Sequence, residues 1–198
     1  MDSSILARLT AAFPAACSPD VEVISRILSK GTMPPSSHDI GPITLRGETV
    51  RIPARIYLPE PSQTTIGLLT ERQRQILLCL FTRHVDGFVR ERMVKPLLAQ
   101  CTFWTVPFVV QLLGEYVLEI LHVLKERLRP DDETLFAEFL QENPRFWSLT
   151  GSRIGSYWNC YFRHPYPDFH KSPGHELFAT LEGWRAQRSM QHTSLPES

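Results

Sequence analysis

The sequence predicts a mainly α protein with one small β-hairpin near its N-terminal third. Apolar residues recur at three- and four-residue spacing through most of the chain, which is typical of amphipathic helices. One segment instead alternates apolar and polar residues around Arg46 and Gly47, which indicates two antiparallel strands. We therefore expect a single helical domain over 1–188, with the hairpin 43–58 packed on it and a flexible tail over 189–198.

Composition supports a protein with its own core and excludes several classes of partner. The 198 residues carry 21 basic and 21 acidic side chains, so the chain as a whole lacks the positive charge of a nucleic-acid binder. A hydrophobic content of 42% is enough to build a core. Glu115 and Glu119 interrupt the longest apolar stretch, which argues against a membrane helix. We expect no nucleic acid, no membrane and no cofactor.

The cysteines indicate a reducing compartment. Cys17, Cys79, Cys101 and Cys160 lie far apart and form no C-x-x-C pair, which is typical of packed, reduced thiols. An acidic residue and a proline in the first 14 residues argue against a secretory leader. The predicted location is therefore the cytoplasm.

The N-terminal third is predicted to be a helix pair followed by the hairpin. The first helix covers 3–13, and the second begins with Ser18 as N-cap and Pro19 in its first turn. Gly31 is expected to end the second helix, and residues 34–37 form a connector. An isolated hairpin is marginally stable, so this one is expected to lie on the helices.

A helix pair is expected after the linker 59–67. Thr70 and Gln73 match a capping box at the start of its first helix, and Asp86–Gly87 separates it from the second. Pro96 is expected to kink or end the second helix. Its apolar residues are predicted to face inward and its charged residues outward: Phe88, Val89, Met93 and Leu97 against Arg90, Glu91 and Lys95.

The C-terminal half is predicted to contain a long central helix over 105–128, because its apolar residues cover most of the circumference. A second helix is expected from Asp131 or Asp132 to Asn143–Pro144. A third is expected over 152–162, followed by a proline-rich loop and a last helix over 175–188.

The segment DGFVRER, from Asp86 to Arg92, opens a helix and resembles the D-x-x-V-R-x-x-A stretch of a HEAT repeat. Met93 stands where that family prefers a small residue, and the match covers about one helix pair. The resemblance implies a HEAT-like stacked helix bundle whose groove binds a protein partner. Longer strings are also similar to uncharacterised bacterial proteins, which implies no chemistry: GETVRIPARIYLPEP, FTRHVDGFVRERM and PFVVQLLGEYVLEIL.

A polar stripe is predicted along the long helix. Gln111, Glu115, Glu119 and His122 are spaced by four, four and three residues, which places them on one face. Glu119 and His122 form an E-x-x-H motif, as in carboxylate-bridged di-iron bundles, but the sequence holds no second copy. We therefore expect the stripe to be solvated or to pair with arginines such as Arg83 and Arg90. Glu115 and Glu119 are also the predicted contacts for a cationic partner, with a metal-dependent enzyme as the alternative.

Possible zinc ligands gather near the C-terminus: Cys160, His164, Asp168, His170 and His175. Their spacing matches no known zinc module, so a surface loop that contains histidines is the preferred interpretation. A metal enzyme built on Cys160 and His164 stays open as an alternative.

Aromatic and basic residues alternate between Phe146 and Phe169. Most of these aromatic rings are expected to pack in the core, because large aromatic side chains dominate burial in small domains. Tyrosine, tryptophan and arginine are, however, also the residues that dominate binding energy at protein interfaces. This segment is therefore the first choice for a partner-binding surface, with these residues: Tyr157, Trp158, Tyr161, Arg163 and Tyr166.

These observations favour a non-catalytic protein-binding module, including an immunity-type protein that neutralises a toxin or effector. No nucleophile motif, phosphate loop or dinucleotide fingerprint is present, so no catalytic residue is assigned. A DNA-binding helix-turn-helix over 70–95 is a weaker alternative, in which Arg90 and Lys95 would meet DNA. The sequence indicates neither the partner's identity nor the oligomeric state.

Overall fold

The computed structural model describes residues 3–28 and 39–193. It confirms a mainly α fold with one small antiparallel hairpin. The chain divides into two compact units, Met1–Leu97 and Leu98–Ser198, which are described one at a time. The single domain over 1–188 remains a prediction.

The first unit opens with helices α1 (Ser3–Thr10) and α2 (Ser18–Ile27). Cys17, rather than the predicted Ser18, is the N-cap of α2, and Ser18 is already helical. Pro19 lies in the first turn as predicted, where its missing N–H costs no hydrogen bond. The predicted stop at Gly31 and the connector 34–37 lie outside the described residues.

The predicted hairpin is confirmed, and it covers 39–53 rather than 43–58. Strands β1 (Asp39–Leu45) and β2 (Glu48–Pro53) pair with Leu45 opposite Glu48. Arg46 and Gly47 form the turn with φ of 50° and 87°, the conformation that a two-residue hairpin loop requires. Pro53 ends β2 because its nitrogen cannot donate to a strand ladder.

The hairpin lies on the helices of its unit, as predicted. Its apolar residues are buried: Ile43, Leu45, Val50 and Ile52. The backbone N–H of Arg51 donates to the Ala11 carbonyl at 2.7 Å, just after α1. The Glu48 carboxylate accepts the N–H of Ala15 at 2.8 Å. Backbone and side-chain bonds thus attach both ends of β2 to the chain between α1 and α2.

Helices α3 (Gln63–Gly67), α4 (Glu71–Phe81) and α5 (Gly87–Ala99) follow. The predicted linker 59–67 therefore contains a short helix, which Ser62 caps by accepting the N–H of Thr65. The capping box of Thr70 and Gln73 is present at the start of α4. Pro96 lies within α5 and does not end it.

The predicted orientation of α5 is wrong at two positions. Phe88 is 78% exposed, whereas Arg90 is fully buried. The Arg90 guanidinium donates to the carbonyl oxygens of His84 and Val85, at 2.8 and 2.9 Å. The turn between α4 and α5 leaves carbonyl groups without helical partners, and the buried arginine satisfies them.

The second unit contains α6 (Val106–Leu113), α7 (Leu118–Arg127), α8 (Glu133–Glu142), α9 (Pro144–Tyr157) and α10 (Pro173–Thr193). A π-helical turn, Trp158–Phe162, continues α9. Asn143–Pro144 separates α8 from α9, as predicted. α10 ends five residues beyond the predicted Arg188, so residues 189–193 are helical; residues 194–198 lie outside the described part.

The prediction of a single long helix over 105–128 is wrong. The helix ends at Leu113, and four residues, 114–117, separate α6 from α7. A Cβ at Gly114 would lie 3.1 Å from the Cβ of Arg153 in α9. Glycine therefore permits this close approach at the break.

Aromatic contacts fill the core of the second unit. Trp147 of α9 stacks on Phe178 of α10, with ring centroids 4.1 Å apart. Phe136 of α8 meets Trp184 of α10 edge to face. These rings bring α8 and α9 against α10. Within the described residues, no helix is both long and apolar enough to cross a membrane.

Candidate functional site

Three tyrosines of the second unit meet at its surface. The rings of Tyr116, Tyr157 and Tyr161 lie 6.0–6.1 Å apart, centroid to centroid, so each touches the other two. Tyr161 is 60% exposed and Tyr116 is 45% exposed. We call these three residues the tyrosine cluster.

Two local irregularities position the tyrosine cluster. Tyr116 lies in the break between α6 and α7, which turns its ring away from the core. Tyr161 lies in the π-helical turn that follows α9, one helical turn after Tyr157. Turns of this kind are frequent at functional sites because they re-aim side chains at the end of a regular helix.

Trp158 has a different role from its tyrosine neighbours. Its indole N–H donates to the Tyr166 carbonyl at 2.8 Å, and its ring meets Phe169 edge to face. The indole therefore connects the proline-rich loop, which follows the π-helical turn, to the end of α9. Of the predicted aromatic residues, Tyr157 and Tyr161 lie together, while Trp158 holds the loop.

Arg163 and Tyr166 lie beside Trp158. The Arg163 guanidinium lies 5.6 Å from the centre of the Trp158 ring and donates to the Asn159 side chain at 3.2 Å. The Tyr166 hydroxyl lies 3.1 Å from Nε2 of His122 on α7. Arg163 is exposed, so its charge is available at the surface.

The polar stripe that was predicted on one helix face is not formed. Gln111 lies on α6, Glu115 lies in the break, and only Glu119 and His122 share a helix. Glu115 is 2% exposed, whereas Glu119 is exposed. The prediction failed because the break at Gly114 ends the helical spacing on which it depended.

The possible metal ligands do not converge. His170 and His175 contact each other, with Nδ1 and Nε2 3.2 Å apart, and Cys160 is exposed on the π-helical turn. Over residues 3–28 and 39–193, no three His, Cys, Asp or Glu side chains lie close enough together to hold a metal ion. Neither the E-x-x-H pair nor the Cys160 and His164 cluster therefore forms a site with three protein ligands.

The arginines proposed for DNA contact are not arranged for it. Arg83 and Arg90 are fully buried in the first unit. Arg92 pairs with Glu60, and Lys95 pairs with Glu91. A recognition helix needs exposed cations that are free to meet phosphates and base edges, and the two exposed cations of this helix, Arg92 and Lys95, already pair with carboxylates.

The cavity beside the tyrosine cluster is very small. Tyr157 lines it together with Leu113, Ile154 and Phe162, and its volume is about 10 Å³. That volume holds about one water molecule, whereas ligand pockets usually span some 300–1,000 Å³. The cluster is therefore a surface rather than a pocket.

Tyr116 is the member of the cluster that sequence reasoning missed. Its position in the apolar pattern of 105–128 suggested a core residue. Gly114, two residues earlier, is the signal that could have indicated a helix end there.

No protein-family model matches the chain, and neither a curated protein nor a solved structure does. The functional argument therefore rests on the residues and their geometry.

Proposed function

We propose that this chain is a non-catalytic protein-binding module whose contact surface is the tyrosine cluster with Arg163. The observation that carries the proposal is the mutual contact of three tyrosine rings, two of which stay 45% and 60% exposed. Exposed aromatic groups that already touch one another are typical anchors of protein interfaces.

Ring contacts also lower the entropic cost of binding. A tyrosine has two rotatable side-chain bonds, and contact with two neighbouring rings already restricts them before a partner arrives. The partner can then cover apolar ring surface while the hydroxyl groups keep hydrogen bonds at the edge. Arg163 adds a charge beside this apolar area, which helps to select the partner.

The narrower form of the proposal is an immunity-type protein that binds a toxin or effector and blocks it. A rigid helical unit with an aromatic surface suits this task, because neutralisation requires occupancy of a target and no chemistry. We place this binding in the cytoplasm, where an exposed thiol such as Cys160 stays reduced.

Affinity capture from the native host tests the proposal. The full chain and a Tyr116→Ala, Tyr161→Ala double variant serve as baits, and mass spectrometry quantifies bound proteins. Tyr57→Ala is the matched control, because Tyr57 is 46% exposed in the first unit. We expect one stoichiometric partner that the wild type and Tyr57→Ala retain and the double variant loses.

Equal retention of every stoichiometric partner by all three baits would contradict the proposal, as would the absence of any such partner. For the narrower form, the purified partner is assayed for its own toxic activity with and without the chain. If the toxic activity of the partner is unchanged when the chain saturates it, the binding-module proposal stands and neutralisation is rejected.

A further inference from the structure

The helix that carries two of the three tyrosines has an unusual charge pattern. No aspartate or glutamate occurs from Asn143 to Pro167, a segment that includes all of α9 and the π-helical turn. The same segment contains Arg145, Arg153 and Arg163. We call these three residues the arginine strip.

None of the arginine strip forms an ion pair with a carboxylate of the described residues. Arg163 donates to Asn159 and Arg153 donates to Gln111, both uncharged amides. Arg145 is exposed and makes no described ion pair. Many other basic side chains do pair, for example Arg26 with Glu22, Arg127 with Glu126 and Lys125 with Glu176. The second unit therefore presents three cations without counter-charges.

The arginine strip runs beside exposed apolar surface. Leu149 on α9 is 46% exposed, and Tyr161 at its end is 60% exposed. From Arg145 to Arg163 the helix rises about 27 Å at about 1.5 Å per residue. A binding segment of some eight extended residues would cover this length.

We propose that the partner contacts the tyrosine cluster and the arginine strip with an acidic segment that also carries apolar side chains. This inference rests on the proposed function and names the chemistry of its partner. Carboxylates would pair with the unpaired guanidinium groups, which donate in a fork that matches both oxygens. Apolar side chains would cover Leu149 and the tyrosine rings.

Charge complementarity favours an acidic protein segment over a nucleic acid. A typical DNA-binding surface makes six to ten phosphate contacts, and the strip offers three cations on a chain of zero net charge. Three arginines with interspersed apolar groups suit a peptide of mixed character. The test therefore includes a nucleic acid as a competing probe.

The test measures binding of the full chain to fluorescently labelled polymers by anisotropy at low salt. The probes are a random copolymer of glutamate and tyrosine, a random copolymer of lysine and tyrosine, and single-stranded oligothymidylate. The strip variant is Arg145→Gln, Arg153→Gln, Arg163→Gln. The control variant is Arg26→Gln, Arg74→Gln, Arg127→Gln, which removes the same charge from exposed arginines elsewhere.

We expect the wild type to bind the glutamate–tyrosine copolymer, the strip variant to bind it about tenfold more weakly, and the control variant to stay within about twofold. A double variant, Arg145→Gln with Arg163→Gln, repeats the measurement without touching Arg153, which packs beside Gly114. Circular dichroism confirms folding of each variant.

Three results would overturn the inference: no binding of the acidic copolymer, equal weakening by the strip and control variants, or tighter binding of oligothymidylate. Each is distinguishable from failure of the proposed function. If the strip variant still captures the host partner that the tyrosine double variant loses, protein binding stands and the acidic chemistry fails.

Discussion

Two arginines are the largest fully buried side chains of the first unit. Arg83 donates to the Ala54 carbonyl at 2.9 Å, and Arg90 donates to two carbonyls of the turn before α5. Burial of a guanidinium costs hydration free energy, and the hydrogen bonds to these carbonyls offset part of that cost. These arginines join the segment after the hairpin to the turn between α4 and α5.

Arg90→Ala is expected to lower the free energy of unfolding by about 2–4 kcal/mol, because it leaves a cavity and two partly buried carbonyls without this donor. Arg92→Ala, on the same helix, is the control. Arg92 is exposed and pairs with Glu60, so its loss is expected to cost about 1 kcal/mol or less. Urea denaturation of both variants measures the difference. Equal losses of unfolding free energy would contradict a stabilising role for the hydrogen bonds of Arg90.

The environment of Glu182 shifts the pKa of its carboxyl group. Burial alone would raise the pKa, but hydrogen bonds from Arg185 and the Trp147 indole, with the charge of Arg185, lower it below its ordinary value of 4.5. The indole N–H donates to the carboxylate at 2.5 Å. Glu182 therefore links α10 to α9 in its ionised form.

Because the folded-state pKa of Glu182 is depressed, its contribution is complete above pH 4.5 and is lost as the pH falls through the folded value. Glu182→Gln is expected to cost about 1 kcal/mol or less at pH 7, and the cost is expected to fall as the pH is lowered below 4.5. Tryptophan-monitored unfolding across this range tests it. The exposed Glu126→Gln is the control; a pH-independent cost for Glu182→Gln would refute the linkage.

At the scale of elements, two glycines of α9 have opposite roles. A Cβ at Gly151 would lie 2.9 Å from the Phe178 ring, whereas nothing lies within 4 Å of a Cβ at Gly155. Gly151 therefore sets how closely α9 approaches α10, and Gly155 only weakens its helix.

Gly151→Ala is expected to destabilise the protein by about 1 kcal/mol, since overpacking of some 1–3 kcal/mol exceeds the gain in helix propensity. Gly155→Ala is expected to stabilise it by about 0.5–1 kcal/mol. Thermal unfolding of the pair measures both signs. Stabilisation by both substitutions would show that Phe178 moves aside freely and that Gly151 does not set the helix spacing.

Elements with local signals were predicted correctly. The hairpin follows from the alternation around Arg46–Gly47, and the start of α4 follows from the capping box of Thr70 and Gln73. Both depend on neighbours within a few residues.

Features decided by contacts outside a regular helix were not predicted. The break at Gly114 depends on the approach of Arg153 from α9, and the burial of Arg90 depends on carbonyls of a turn. Apolar periodicity contains neither signal. The prediction based on it therefore had one helix in place of α6 and α7, and it had Phe88 facing inward. The predicted polar stripe is wrong for the same reason, because it depended on one continuous helix.

At the scale of the whole chain, the fold class followed from the sequence and the site followed in part. Two of the residues predicted for the partner-binding surface, Tyr157 and Tyr161, contact each other, and Tyr116 joins them through a break in the helix that apolar periodicity does not indicate. The HEAT-like stack and the similarity to bacterial proteins remain predictions. A surface assembled from two separate segments is visible only in three dimensions.

The dissociation constant of the captured partner, measured by titration calorimetry with purified proteins, tests the central claim most directly. We expect one-to-one binding that Tyr116→Ala with Tyr161→Ala weakens at least tenfold, since each ring is expected to contribute about 1 kcal/mol or more. Tyr57→Ala is expected to bind as the wild type does. Equal affinity of all three proteins would place the interface elsewhere and contradict the account.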